Sequence, residues 1–192
     1  MKKTLLALTA VSALFTSVAA QAQSATYAID PAHTFVTFEI DHFGTSTNRA
    51  RFDKKEGTVQ FDRAGKTGKV DITIDVDSVN SGTAPFNTHL KSAEILNVAA
   101  YPTARFVSDK FVFDGDKVKE VTGQFTLLGK THPITLKATK FNCYQNPMLK
   151  REVCGGDFET TIKRSQWGAS YGLNYGFSDD MRLVVQVEAV KQ

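Results

Sequence analysis

The string Gly168-Ala169-Ser170-Tyr171-Gly172 has the Gly-x-Ser-x-Gly form that, in hydrolases, presents a nucleophilic serine on a sharp strand-to-helix turn. That chemistry needs a helix behind the serine, and an acid and a histidine later in the chain. No helical pattern follows, and the last of the four histidines (His33, His42, His89 and His132) precedes the string. The residue order of a serine hydrolase is therefore missing. The histidines form neither His-x-His nor His-Glu-x-x-His, so no zinc site is written locally. Asp30, Asp41 and Asp53 are scattered carboxylates rather than a spaced acid–base pair, and no glycine-rich phosphate loop follows a strand. The sequence assigns no catalytic residue, no metal and no cofactor, and the expectation is a binding protein rather than an enzyme.

Cys143 and Cys154 are the only cysteines. Two nearby thiols in an exported protein are expected to form a disulfide, which would close a hairpin loop containing Pro147, with Gly155-Gly156 marking the return. Export is read from the N-terminus. Lys2 and Lys3 precede an apolar run from Leu5 to Val18, and Ala20-Gln21-Ala22 is a small-x-small cleavage site. Residues 1–22 are thus expected to be a cleaved secretory signal, leaving 23–192 as one domain outside the cytoplasm. Two of the 23 Lys and Arg fall in the signal, so the remainder nearly balances the 20 Asp and Glu. A nucleic-acid partner, which requires clustered basic residues, is not expected.

Most of the chain has period two, the signature of half-buried strands. Val70, Ile72, Ile74 and Val76 alternate with polar residues from Lys69 to Asp77; Val36, Phe38 and Ile40 do so between Thr37, Glu39 and Asp41. Further alternating runs are Val121 to Leu127, Ile134 to Thr139, Phe158 to Lys163 and Arg182 to Ala189. Shorter candidates are Thr58 to Asp62, Thr103 to Ser108 and Lys110 to Asp114. Gly65 to Gly68, Asp114-Gly115-Asp116 and Leu128-Gly129-Lys130 supply turn chemistry between them. One stretch differs: Thr83 to Asn97 carries Phe86, Leu90 and Ala93 near helical spacing, with Pro85 near its start, and predicts one short helix. Eight or nine antiparallel strands make a sandwich or a barrel, and the pattern alone does not choose between them.

Four blocks of residues resemble the YceI-like family of bacterial periplasmic proteins. They are YAIDPAHTFVTFEIDHFGTS (27 to 46), the Phe52 to Phe61 segment around Gly57-Thr58-Val59, HLKSAEILNVAAYPTARFVS (89 to 108) and VTGQFTLLGKTHPITLKA (121 to 138). The segment from Phe141 to Phe158 looks like a subgroup with a paired-cysteine loop. This resemblance implies an all-β, eight-stranded antiparallel, lipocalin-like barrel with a short helical lid segment. It also implies a long-chain apolar ligand within, a polyisoprenoid lipid or an isoprenoid quinone. The Gly-x-Trp signature of true lipocalins is absent, since the only Trp is Trp167, so the likeness to them is one of shape.

An isoprenoid chain offers almost no hydrogen bonds, so it is held only by removing apolar area from water, in an apolar tunnel. Phe, the aromatic without a polar handle, accounts for 14 residues. The candidate lining is Val36, Phe38, Ile40, Phe43, Phe52, Phe86, Leu90, Ile95, Leu96, Phe106, Phe125, Leu127, Phe158 and Trp167. Of these, Phe86, Leu90, Ile95 and Leu96 are expected to gate entry. A polar head group would meet His42, Ser46, Asn48, Arg49 or His89, at strand ends or beside the helix. Gly123, inward among Val121, Phe125 and Leu127, marks a bulge or a close approach by ligand. A transient membrane contact and a homodimer through the lid face are left open. The competing reading is a module that binds a protein or glycan on its outer surface, around a merely packed interior.

Overall fold

The computed structural model describes residues 24–192; the expected signal segment, 1–22, lies outside them. The strands are β1 (Ala25–Ile29), β2 (Phe35–His42), β3 (Ser46–Phe52), β4 (Lys55–Asp62), β5 (Thr67–Asp75) and β6 (Val79–Asn80). After helix α1 (Ala84–Lys91) come β7 (Thr103–Asp114), β8 (Lys117–Leu127), β9 (Lys130–Gln145), β10 (Glu152–Lys163) and β11 (Asp180–Lys191). The chain is the all-β, eight-stranded antiparallel barrel with a short helix. Its ring runs β1-β4-β5-β7-β8-β9-β10-β11 and closes where β11 pairs with β1.

Closure explains the alternation. With no free edge in the ring, every second side chain points into one interior, and the alternating runs become its wall. Inward Val121, Gly123, Phe125 and Leu127 are buried, while their polar neighbours face out. The Leu128-Gly129 turn has positive φ at both residues (49° and 72°), matching the two-residue turn that suits twisted strands.

Several strands are broken near mid-barrel. β11 pairs with β1 over residues 189–191 and with β2 over 181–186, so β1 and β2 are two halves of one interrupted strand. Pro31, which has no N–H to give, lies in the gap. Side chains complete the ladder there. Thr34 Oγ1 donates to Glu188 O at 3.1 Å and accepts from Glu188 N at 3.2 Å. Buried Lys55 donates to Pro31 O (2.8 Å) and Asp53 O (3.2 Å), with its amine 4.3 Å from the Phe35 ring centroid.

Several expectations are corrected in detail. The segments 103–108 and 110–114 are a single strand, bent by a bulge at Ser108-Asp109 opposite Gly123. A Cβ on Gly123 would lie 2.4 Å from Val107 O, so the strand next door, not a ligand, makes the close approach. Cys143 and Cys154 do not close a long loop. They are register partners inside the β9–β10 ladder, bonded at 2.07 Å, and only residues 146–151 form the turn. Gly155 and Gly156 accordingly sit within β10 rather than marking a return. Beyond β10, Arg164–Trp167 is a 3-10 turn that opens a loop reaching β11.

Candidate functional site

The interior holds two apolar cavities stacked along the barrel axis. The lower one, about 110 Å³, lies toward the end bearing the β4–β5, β7–β8 and β9–β10 turns. Its lining includes Val36, Val59, Phe61, Ile72, Phe106, Phe111, Phe141, Phe158, Val185 and Val187. The upper one, about 70 Å³, lies beneath α1 and is lined by Phe38, Ile40, Phe52, Leu90, Ile95, Leu96, Phe125, Leu127 and Leu183 among others. Val36 borders both, and the division falls where Phe106 of β7 pairs with Phe125 of β8.

The expectation of one wide tunnel is thereby revised. Aromatic side chains from different strands meet inside the barrel. Phe61 stacks on Phe113 at 5.9 Å and lies 5.8 Å from Phe141; Phe38 is 5.9 Å from Phe52. An engineered apolar cavity of about 150 Å³ takes up benzene, so these spaces hold fragments of a chain.

In the lower cavity the polar side chains are Tyr27 and Thr34, and both are engaged. Tyr27 donates its hydroxyl to Glu152 Oε1 at 2.5 Å; burial first, and then that carboxylate, pushes its phenol above the ordinary range. Thr34 is committed to Glu188. Gly155 completes the wall, since a Cβ there would lie 2.1 Å from Val187 O.

The upper cavity is closed by chain outside the ring. Helix α1 is fixed to the rim by Asn87, whose Oδ1 accepts from Ser81 N and Ser81 Oγ at 2.7 Å, and by the Lys91–Asp77 pair at 3.0 Å. Leu90 and Leu96 turn inward and are buried. Opposite the helix, the 164–179 loop is tied down by Trp167, which donates Nε1–H to Phe125 O at 3.0 Å and packs 4.9 Å from the His132 ring. Arg164, 4% exposed, lines this cavity; its Nε donates to Ser178 O (2.8 Å) and its Nη1 to Ala169 O (2.5 Å). Burial lowers its pKa. Gly168–Gly172 belongs to the same loop, which continues through another 3-10 turn, Leu173–Tyr175, into β11 rather than into a helix.

Of the residues predicted to line the interior, Val36, Phe106 and Phe158 border the lower cavity. Val36, Phe38, Ile40, Phe52, Leu90, Ile95, Leu96, Phe125 and Leu127 border the upper one. Phe43, Phe86 and Trp167 border neither. Phe43 sits at φ 58° in the β2–β3 turn, 52% exposed, stacked outside on Phe177. Phe86 packs on the core from the helix, and Trp167 is a fully buried anchor of the loop.

The head-group candidates separate in the same way. His42, Ser46 and Asn48 share the inward parity of Ile40 at the upper rim, with His42 pairing with Ser46 and Ile40 with Asn48. Arg49 faces out and joins Glu39 at 2.8 Å in an ion-pair network with Arg182 and Glu159. Its guanidinium, with that of Arg182, holds the Glu39 carboxyl below the usual range. His89 packs edge-on against Tyr171, 5.0 Å away, where helix and loop meet.

Sequence reading missed Phe61, Phe111, Phe141, Val185, Val187, Tyr171 and Arg164. The period-two pattern already marked the inward parity of Val185 and Val187, and Phe61 alternates within its strand. Nothing in the sequence distinguished Arg164 from other basic residues. Among the described residues no group of three His, Cys, Asp or Glu is placed to hold a metal, and no helix is long and apolar enough to cross a membrane.

Residues 27–189 match the family described as YceI-like domain. Protein YceI of Salmonella arizonae is 37% identical over 195 aligned positions, covering all of both chains. Among solved structures, Burkholderia cenocepacia BcnA superposes with a TM-score of 0.69 at 25% identity, covering 83% of this chain and 98% of that one. The Campylobacter jejuni YCEI protein gives 0.69 at 25% identity over 80% and 90%. A domain from Saccharophagus degradans, described as polyisoprenoid binding, shares the fold with a TM-score of 0.63 at 14% identity.

Proposed function

This chain belongs to the YceI-like domain family, and from that premise we propose that it binds a long-chain apolar molecule, a polyisoprenoid lipid or isoprenoid quinone, inside its barrel. The observation that carries this reading is the pair of apolar cavities in line along a closed barrel, one of them under a lid. The name of the Saccharophagus degradans domain points to the same ligand class. The driving force is burial, at about 0.8 kcal/mol per methylene. A chain longer than a fragment needs more room than the cavities offer, and that room comes from the phenylalanines. Each turns about two side-chain torsions and can be displaced by ligand carbon at little loss of apolar contact. No bond is made or broken; carriage or sequestration is the function.

The proposed setting is the periplasm, supported by the signal-like N-terminus and by the disulfide, which persists in oxidising compartments. Transfer to and from a membrane would use the lid end, where Phe43, Tyr171 and Tyr175 are exposed, and a homodimer would use the same face. The test is mass spectrometry of an organic extract from protein purified without detergent. A long-chain lipid near one per protein is expected. An empty extract, together with no uptake of added prenol, would overturn the reading in favour of a module acting through its outer surface.

A further inference from the structure

Building on the reading that the barrel takes an apolar chain, we infer that the upper cavity receives the anionic end of that chain, a carboxylate or phosphate monoester, at Arg164. Arg164 is 4% exposed and is one of the residues lining that cavity. Its guanidinium carries five N–H donors, of which the hydrogen bonds to Ser178 O and Ala169 O use two. It makes no ion pair among the described residues. The acid whose field reaches it, Asp179, accepts instead from Ser165 N at 2.9 Å and Ser165 Oγ at 2.8 Å. Arginine stays protonated even when buried, so the cavity wall carries a cation with no carboxylate bonded to it, Asp179 acting on it only through its field. Ligand oxygens bearing negative charge would compensate it through the remaining N–H groups, in the planar, two-point manner that suits guanidinium.

The other end of the barrel argues for the same polarity. The polar side chains of the lower cavity, Tyr27 and Thr34, are already committed to Glu152 and Glu188, so an ionic end group there would be buried without a partner. The chain therefore lies head up beneath the lid and tail down among Phe61, Phe111 and Phe141. His89 packs on Tyr171 where helix and loop meet, and Tyr171 lines the same cavity as Arg164.

The experiment compares ligands of identical chain and different end. Geranylgeranyl phosphate is titrated against geranylgeraniol, and palmitate against hexadecanol, into the wild-type protein and Arg164→Gln. The wild type should bind at least one acid about tenfold or more tighter than its alcohol, and the pair with the larger ratio identifies the end group. Arg164→Gln should bring that ratio to about one, the ratio rather than either affinity being the readout. Should the glutamine variant misfold, Arg164→Lys, which keeps charge without the fork, should show a reduced ratio; an unchanged ratio overturns the assignment. Equal wild-type binding of acid and alcohol also overturns it, yet leaves the apolar reading standing. Failure to bind any of the four takes down the apolar reading itself.

Discussion

The lower half of the barrel builds its wall almost wholly from strands, whereas the upper half borrows a helix and a loop, and the polarity of the two cavities follows from that difference. In the lower half backbone N–H and C=O groups satisfy one another, with Thr34 filling the gap at Glu188, so the other inward side chains supply mainly apolar area. The 164–179 loop has no neighbouring strand to pair with, and its carbonyls must find donors elsewhere. Arg164 supplies two of them, at Ser178 and Ala169, while Asp179 caps Ser165. A buried cation beside the upper cavity is thus the consequence of closing a barrel with irregular chain. The lesson is that a ring of equivalent strands acquires a head end and a tail end through the way its mouth is covered.

Breaking the lid gives the largest expected effect. In the double variant Leu90→Asp and Leu96→Asp, two buried apolar contacts become charges, and extractable lipid should fall to background while the β-type circular dichroism persists. Lipid retained at wild-type level would mean that the lower mouth admits the chain and the two halves differ less than proposed. Next in size is Trp167→Ala, which removes a fully buried ring and its hydrogen bond to Phe125. It should cost about 3–5 kcal/mol in chemical denaturation. A loss under about 1 kcal/mol would show that the loop is not held by this anchor.

The lower half has a covalent staple that the upper half lacks. Replacing Cys143 and Cys154 by alanine should lower stability by roughly 3 kcal/mol, read from the denaturation midpoint. Lid-dependent lipid release should not change; a faster release would tie the two ends together mechanically.

The smallest effect concerns Tyr27. Its phenol is held above the ordinary tyrosine value of 10.0, so the folded state favours the protonated form. That contribution is whole below pH 10.0 and is lost as pH rises from there toward the folded-state value. Tyr27→Phe should cost about 1–2 kcal/mol at neutral pH and flatten the alkaline fall in stability. An alkaline slope equal to that of the wild type would remove Tyr27 from the account.

The alternation of Val70, Ile72 and Ile74, or of Val36, Phe38 and Ile40, was enough to declare strands and their inward faces, because side-chain direction in a strand is set by parity. The Leu128-Gly129 turn and the helix beginning near Pro85 were legible for the same reason: their backbone geometry is chosen by the residues themselves. What parity cannot give is distance across the lumen. Whether Phe61, Phe113 and Phe141 leave a tunnel or fill one depends on ring closure and stagger, which pairings far apart in sequence decide. Nor could it show that Phe43 turns outward, since a turn at positive φ leaves the period-two pattern. Arg164 is the clearest case: as a residue it is one of many cations, and only the folding of the 164–179 loop over Phe125 buries it at the head of a cavity. Local pattern was enough for most strands, their faces and the family, though not for β1 or β3; ring closure and the covering of its mouth set which interior is open, how far, and where its charge lies, because those depend on contacts that no local pattern encodes.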